Sequence, residues 1–152
     1  MSGTLADPLG KDLLVAPLLS ATEWDALDLT PTDGGPGRTE PLDLAVASGP
    51  DSLRQALLLR LLTPQGALAD LGHAEYGSRL HKLIGQEMGE PARLLARAYV
   101  LAAVRQERRV AEVLSLEVTG PLPNAPDTLR IGLSVRAVTG GDPITLGLEV
   151  AG

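Results

Sequence analysis

The sequence predicts an α+β domain in which helices fill the first two-thirds of the chain and pack on a small antiparallel sheet at its end. Two segments, 51–62 and 90–106, carry apolar side chains in helix-like runs. Residues 129–137 alternate strictly between apolar and polar side chains, as a half-buried strand does. Glycine and proline clusters separate the segments of the last third. Helices first and strands last is the order of an α+β domain.

The first 41 residues are predicted to form an N-terminal arm, followed by a single domain at 42–152. Repeated prolines and the glycines near position 35 interrupt regular structure in the arm. The arm also contains large apolar side chains, which are too numerous for a free tail: Leu13, Leu14, Val15, Leu18, Leu19, Trp24, Leu27 and Leu29. We therefore expect an extended segment that packs on its own domain or on a neighbouring chain.

The helical part is predicted to begin after a short strand at 42–47. Asp51 or Ser52 is expected to cap a helix that runs to about Leu62, where Thr63-Pro64 ends it. This helix has almost no polar face, so it is expected to be central in the domain or covered by another chain.

Two further helices are predicted after a loop at 64–77. Ser78 is expected to cap a short helix at 79–84, and Glu90-Pro91 to open a helix that runs to about Gln106. Arg93 and Arg97 are predicted on the outer face of this last helix. Its leucine-rich face is expected to be buried, namely Leu94, Leu95, Ala98, Leu101 and Ala102.

The last third is predicted to be a three-stranded meander. Its strands span 110–118, with an irregularity near Glu112, then 129–137 and 144–150. The intervening turns are rich in glycine and proline.

Composition excludes several classes of function. The net charge of −6 and the pI near 4.8 disfavour nucleic acid and anionic membranes as partners. The chain has no cysteine, and aromatic residues make up only 2%, which argues against sugar-binding platforms. We find neither a signal-peptide pattern nor an apolar run long enough to span a membrane, and so expect a cytoplasmic protein, at least until it is assembled into something larger.

No catalytic, metal or cofactor site is predicted. His73 and His81 fit no common zinc spacing. Ser78, His81 and Asp70 could be drawn as a triad, but no nucleophile elbow surrounds the serine. A glycosidase pair would require two carboxylates facing each other across a cleft, and the candidates are Glu75, Glu87, Glu90, Glu107 and Glu112.

The charged turn between the long helix and the first strand of the meander, Gln106 to Val110, allows two interpretations. It is either a solvated, charge-balanced corner or a charged docking point beside a strand edge. If the turn is solvent-exposed in the free protein, truncating Glu107 or Arg109 is expected to change its stability little and to leave it folded.

Three stretches together resemble the baseplate wedge family of contractile-tailed phages and contractile injection systems. Residues 57–66 (LLLRLLTPQG) are similar to an apolar helix that ends in a Leu-Thr-Pro-x-Gly turn. Residues 71–80 (LGHAEYGSRL) are similar to a Tyr-Gly-Ser-x-Leu signature, and residues 107–110 (ERRV) to Glu-Pro-Arg followed by an aliphatic residue. The likeness covers about residues 42–140, and Arg108 departs from it because the family usually has proline there.

The resemblance implies a structural subunit of a baseplate, present in several copies in a ring. Its implied partners are the sheath protein, other baseplate wedge proteins and inner tube or hub proteins, with no nucleic acid and no insertion into a membrane. Glu107, Arg109 and Arg108 are the implied partner-binding residues. The structural motif comprises Thr63, Pro64, Gly66, Tyr76, Gly77 and Ser78. A lysozyme-like peptidoglycan hydrolase of the same tail and an adaptor domain of an unrelated complex remain as alternatives.

Overall fold

The computed structural model of the chain describes residues 8–13 and 46–152. Two α-helices and five β-strands make up most of it, together with 3-10 helices at Ala69–Leu71 and Leu80–Leu83. None of the described helices combines the length and the apolar character that crossing a membrane requires. In chain order the main elements are β1 Lys11–Leu13, β2 Val46–Ser48, α1 Pro50–Leu62, α2 Glu90–Val104, β3 Val110–Thr119, β4 Thr128–Ala137 and β5 Ile144–Ala151.

The predicted meander is confirmed as an antiparallel sheet in the order β3-β4-β5. The predicted irregularity near Glu112 is a register shift between Val110 and Glu112, and a second shift follows at Val113. Alternate side chains of β4 and β5 point into the core, and the opposite face carries ion pairs such as Arg130–Glu149 at 2.9 Å. The α+β class is therefore confirmed, with both helices packed on one face of the sheet.

Helix α1 is central, as its sequence predicts. Leu53, Leu57 and Leu61 are buried, and no leucine of the helix is fully exposed. The predicted cap is wrong, because Gly49 occupies the N-cap position and Pro50 the first turn. Proline fits that turn because its missing N–H has no helical partner there in any case.

Helix α2 turns the opposite face inward from the one predicted. Its buried residues are mostly small, namely Ala92, Ala96, Val100, Ala103 and Val104. Leu94, Leu95, Ala98 and Ala102 are instead exposed, and Leu101 is only partly buried. Alanine on the inner face lets the helix approach the sheet closely, which the bulkier leucines would prevent.

The two arginines predicted on the outer face of α2 also reach toward the sheet. Arg97 Nη1 donates to the Leu116 carbonyl oxygen at 2.6 Å, and Arg93 Nη1 donates to that of Gly120 at 2.5 Å. Their guanidinium groups therefore tie α2 to β3 and to the turn that follows it.

The described part of the arm packs on its own domain. Leu9 is buried in the core, and β1 pairs antiparallel with β2 from Lys11↔Ser48 to Leu13↔Val46. The Leu13 carbonyl accepts a hydrogen bond from Gln55 Nε2 at 2.8 Å. The remaining apolar residues of the arm, from Leu14 to Leu29, and the start of the strand predicted at 42–47 lie outside the described residues.

Candidate functional site

The charged turn between α2 and β3 is built around a buried carboxylate. Glu107 is only 8% exposed. Arg109 meets it with two parallel hydrogen bonds, Nε to Oε1 at 2.8 Å and Nη2 to Oε2 at 3.1 Å. This side-chain pairing holds the pKa of Glu107 below its usual range, although burial alone would raise it. The carboxylate is therefore charged in the folded protein.

Other parts of the chain converge on this ion pair. Arg109 Nη1 donates to the Leu9 carbonyl oxygen at 2.9 Å, which fastens the arm to the corner. Arg60 of α1 approaches from the other side, with Nη2 3.7 Å from Glu107 Oε2 and its guanidinium 4.5 Å from the centre of the Tyr76 ring. Burial raises the pKa of Tyr76. We call Glu107, Arg109, Arg60, Tyr76 and the Leu9 carbonyl the corner brace.

The corner brace changes what the predicted docking residues can do. Glu107 and Arg109 are already committed to contacts within the chain, whereas Arg108 lies exposed between them and has no ion pair among the described residues. Arg60 Nε is buried, with no hydrogen-bond partner among the described residues. That Glu107, Arg109 and Arg108 bind a partner stays a prediction, but truncating Glu107 is expected to destabilise the folded protein.

The two longer stretches that carry the family resemblance meet in space. Pro64 and Ser78 form a parallel bridge in which Ser78 N donates to the Thr63 carbonyl oxygen and Gln65 N donates to that of Ser78, both at 2.8 Å. The Thr63 hydroxyl in turn donates to Leu59 O at 2.7 Å. The loop between these stretches, which places Tyr76 beside Arg60, is therefore closed at its base by backbone hydrogen bonds.

Gly77 allows this bridge to form. Its φ is +108°, and a Cβ at this position would overlap the Thr63 carbonyl oxygen and lie 2.9 Å from Gln65 N. Gly66 also has a positive φ, of +92°, but nothing lies within 4 Å of the Cβ that it lacks. Gly77 is therefore required by a close approach of two backbone segments, while Gly66 supplies only a backbone angle.

Ser78 is not the N-cap residue of the following helix. Arg79 occupies that position of a 3-10 helix, and the Ser78 hydroxyl donates mainly to Leu61 O at 2.6 Å. The same hydroxyl accepts a long hydrogen bond, 3.3 Å, from Leu80 N. Ser78 thus ties the loop to the end of α1 and only secondarily caps the short helix.

The outer edge of β5 is a second candidate surface. Arg54 Nε donates to the Thr145 carbonyl oxygen at 3.1 Å, so this carbonyl points away from β4. Because backbone groups alternate in direction along an antiparallel strand, Gly147 and Glu149 also present their N–H and C=O groups outward. None of the described strands pairs with this edge.

A largely apolar groove of about 590 Å³ adjoins the end of β5. It lies between β5, the end of α1 and the 3-10 helix at Leu80–Leu83. Its apolar lining includes Leu61, Leu62, Leu80, Ile84, Leu148 and Val150. An extended peptide added to β5 could place a side chain in this groove, which is how strand addition obtains specificity.

A smaller cleft of about 280 Å³ lies between the 64–79 loop and α2, and it contains Glu75. Gln65 links the polar groups there, with Arg79 Nε donating to Gln65 Oε1 at 2.9 Å. Of the other carboxylates considered for a glycosidase pair, Glu90 is paired with Arg93, Glu107 with Arg109 and Glu112 with Arg136, and Glu87 is exposed.

Ser78 and His81 do not make the hydrogen bond that the triad drawn with Asp70 would require. His81 Nδ1 lies 3.2 Å from the Ser78 carbonyl oxygen, while the serine hydroxyl proton is directed to Leu61 O. His73 lies exposed in the loop. Within residues 8–13 and 46–152, no group of three histidine or carboxylate side chains is placed to hold a metal ion.

Comparison with known proteins gives a likeness of fold. No family model and no curated protein matches the chain. Its fold is similar to a crystal structure from Geobacter sulfurreducens provisionally described as a tail lysozyme, with a TM-score of 0.60 and 18% identity. The similarity covers 72% of this chain and 96% of the other. At this identity the likeness shows a shared fold.

We predict that Glu107→Gln destabilises the protein by about 2–3 kcal/mol, because Arg109 and Arg60 then lack a charged partner in a poorly hydrated site. Glu112→Gln is the matched control, since the Glu112–Arg136 pair is exposed and contributes at most about 1 kcal/mol. Denaturant titration at neutral pH measures both losses. If the two variants lost equally little free energy of unfolding, the stabilising role of the corner brace would be contradicted.

The same titration has a predicted pH dependence. The folded-state pKa of Glu107 is lowered, so its stabilising contribution is complete above the unfolded pKa, about 4.3. It is lost as the pH falls through the folded pKa. The difference between wild type and Glu107→Gln should therefore shrink in acid, and a constant difference down to strongly acidic pH would assign the loss to something other than this charge.

We further predict that Gly77→Ala is much more damaging than Gly66→Ala. Both substitutions impose an unfavourable positive φ, which costs about 1 kcal/mol, but only the first forces the Pro64–Ser78 bridge apart. Thermal unfolding of the two variants separates the cost of the positive φ from the cost of losing the bridge. Similar melting temperatures would show that the bridge adds little to stability.

Proposed function

We propose that this chain is a structural subunit of the baseplate of a contractile phage tail or contractile injection system, where it links the baseplate and tube to the first sheath ring. Two independent kinds of similarity support this role. Three sequence stretches resemble the baseplate wedge family, and the fold is similar to a protein described as a tail component. Two of those stretches meet at the Pro64–Ser78 bridge, which closes the loop between them. The resemblance therefore includes residues that hold this loop together.

The observation that supports an assembly role most directly is the outer edge of β5 beside an apolar groove. Unpaired strand edges attract other chains, and proteins normally protect them. In β5, Glu149 lines a groove together with leucines and Ile84, and Gly147 lies two residues away on the same outer edge. A strand from the sheath protein would satisfy the backbone groups and fill the groove at once.

The other edge of the sheet is less suited to this task. Guanidinium groups of α2 donate to two carbonyls along β3 and its end, at Leu116 and Gly120, whereas one guanidinium, that of Arg54, donates to the β5 edge. The register shifts in β3 also bend that edge, which is a common protection against unwanted pairing. Strand addition is therefore proposed at β5.

We also propose that the charged turn binds a partner, but that its three residues have different roles. Arg108 is exposed and available to a baseplate or hub protein, whereas Glu107 and Arg109 hold the turn in shape. A Glu107 or Arg109 variant could therefore fail to assemble because it is destabilised. Its stability has to be measured before an assembly defect is assigned to a lost contact with a partner.

A peptidoglycan hydrolase is the second candidate, because the similar crystal structure is described as a lysozyme. A general acid for glycoside cleavage needs a raised pKa, whereas that of Glu107 is lowered. Glu75 is the carboxylate that lies in a cleft. We expect no release of labelled peptidoglycan by the purified protein above buffer. Release that disappears in Glu75→Gln would establish the hydrolase instead.

We predict that Ile84→Asp abolishes binding to the sheath protein and the formation of sheathed particles. The substitution puts a charge into the groove beside β5, where an incoming strand would have to desolvate it. Ile84 is 64% exposed, so stability should change by no more than about 0.5 kcal/mol.

Leu71→Asp is the matched control, since Leu71 is 73% exposed and does not line the groove. Both variants and the wild type are co-expressed with the proteins encoded beside this gene. Sheath capture on affinity resin and electron microscopy of particles are then compared. Normal particles from Ile84→Asp, or equal failure of both variants, would contradict strand addition at β5.

A further inference from the structure

The exposed face of α2 carries apolar side chains that neither the core nor the corner brace explains. Leu94 is 60% exposed and Leu95 is 45% exposed, and Ala98 and Ala102 continue the same stripe toward the C-terminal end of the helix. Leu101 completes it and is only partly buried. A continuous apolar stripe along a helix is uncommon on the surface of a monomer and marks a binding face.

The stripe has an internal symmetry about Ala98. Leu95 and Leu101 stand three positions before and after it, and Leu94 and Ala102 stand four positions before and after it. When two copies of one helix pack antiparallel about a two-fold axis, residues at equal steps on either side of the centre face each other. Here each leucine of one helix would meet an apolar residue of the other.

The charges at the two ends of α2 also favour antiparallel packing of two copies. Glu90 begins α2 and Arg105 follows its last residue; both side chains are exposed, and the Glu90 carboxylate also pairs with Arg93 of its own helix. Antiparallel packing brings Glu90 of each copy toward Arg105 of the other, whereas parallel packing would bring like charges together. The macrodipoles of the two helices would also be opposed, which is the favourable arrangement.

The residue at the centre is small enough for close contact. Alanine at the crossing point lets two helix backbones approach, and the leucines on either side can then interlock. Arg97 does not obstruct this approach, because its guanidinium is drawn to the Leu116 carbonyl on the sheet side of the helix.

We propose that the occupant of this face is α2 of a second copy of this chain, packed antiparallel about Ala98 in a symmetric dimer. The dimer covers the leucine stripe of the free subunit. It goes beyond the proposed baseplate role and uses a different surface from the edge of β5. A single 15-residue helix forms the contact, so the dimer is expected to dissociate on dilution.

The first test is sedimentation equilibrium over concentrations from micromolar to millimolar. The wild type should pass from monomer to dimer, and Ala98→Glu should raise the dissociation constant at least about tenfold because it sets two carboxylates against each other at the axis. Leu71→Asp serves as the control and should behave as wild type. A wild type that is monomeric throughout, or a dimer unaffected by Ala98→Glu, overturns the proposal.

Charge exchange tests the direction of packing. Glu90→Arg and Arg105→Glu should each weaken the dimer several-fold, since each removes two ion pairs and creates repulsion. The double variant should recover most of the affinity, and thermal unfolding shows that all three variants are folded. Failure of the double variant to recover affinity contradicts the antiparallel arrangement.

The absence of cysteine permits a readout that does not depend on stability. Ala98→Cys should give a covalent dimer on mild oxidation, because the two substituted positions face each other at the axis, whereas Leu71→Cys should remain monomeric. Equal cross-linking of the two variants would indicate random collision and overturn the proposal. Ile84→Asp should still dimerise, so failure of this inference and failure of the baseplate proposal are separately visible.

Discussion

The charge on Glu107 is the constraint to which the rest of the fold responds, because the carboxylate is almost completely removed from water. An unpaired charge in such a site would be strongly destabilising. Arg109 supplies two parallel hydrogen bonds and uses its remaining N–H donors to hold the Leu9 carbonyl, while Arg60 approaches from α1. One ion pair thereby joins the arm, the first helix and the start of the sheet, which lie far apart in the sequence.

Fixing that corner has consequences for the proposed function. With β3 anchored to the end of α2 and tied to it by Arg93 and Arg97, the sheet presents its opposite edge, β5, to possible partners. The exposed stripe of α2 lies on the side of the helix away from this anchor. An unpaired strand edge and an exposed apolar helix face are the features that the proposed assembly role requires.

Local pattern was enough to predict most of the elements, and it failed where packing between distant segments decides the outcome. The alternation in β4 and the all-round apolar character of α1 are properties of single segments, and both predictions are confirmed. The buried face of α2 was predicted from the leucines, but close packing on the sheet selects alanine for the inner side. The pairing of β1 with β2 and the burial of Glu107 depend on residues far apart in the chain, so no local spacing could have indicated them.

The central claim is that this subunit offers the outer edge of β5 to another chain in a contractile particle. Electron cryomicroscopy of particles obtained by co-expression with the proteins encoded beside this gene tests it most directly. The account predicts copies of the chain in a ring at the base of the sheath, each with a strand from another protein hydrogen-bonded to Gly147 and Glu149 and a side chain in the groove at Ile84. Particles that lack the chain, or in which this edge faces solvent, would contradict it.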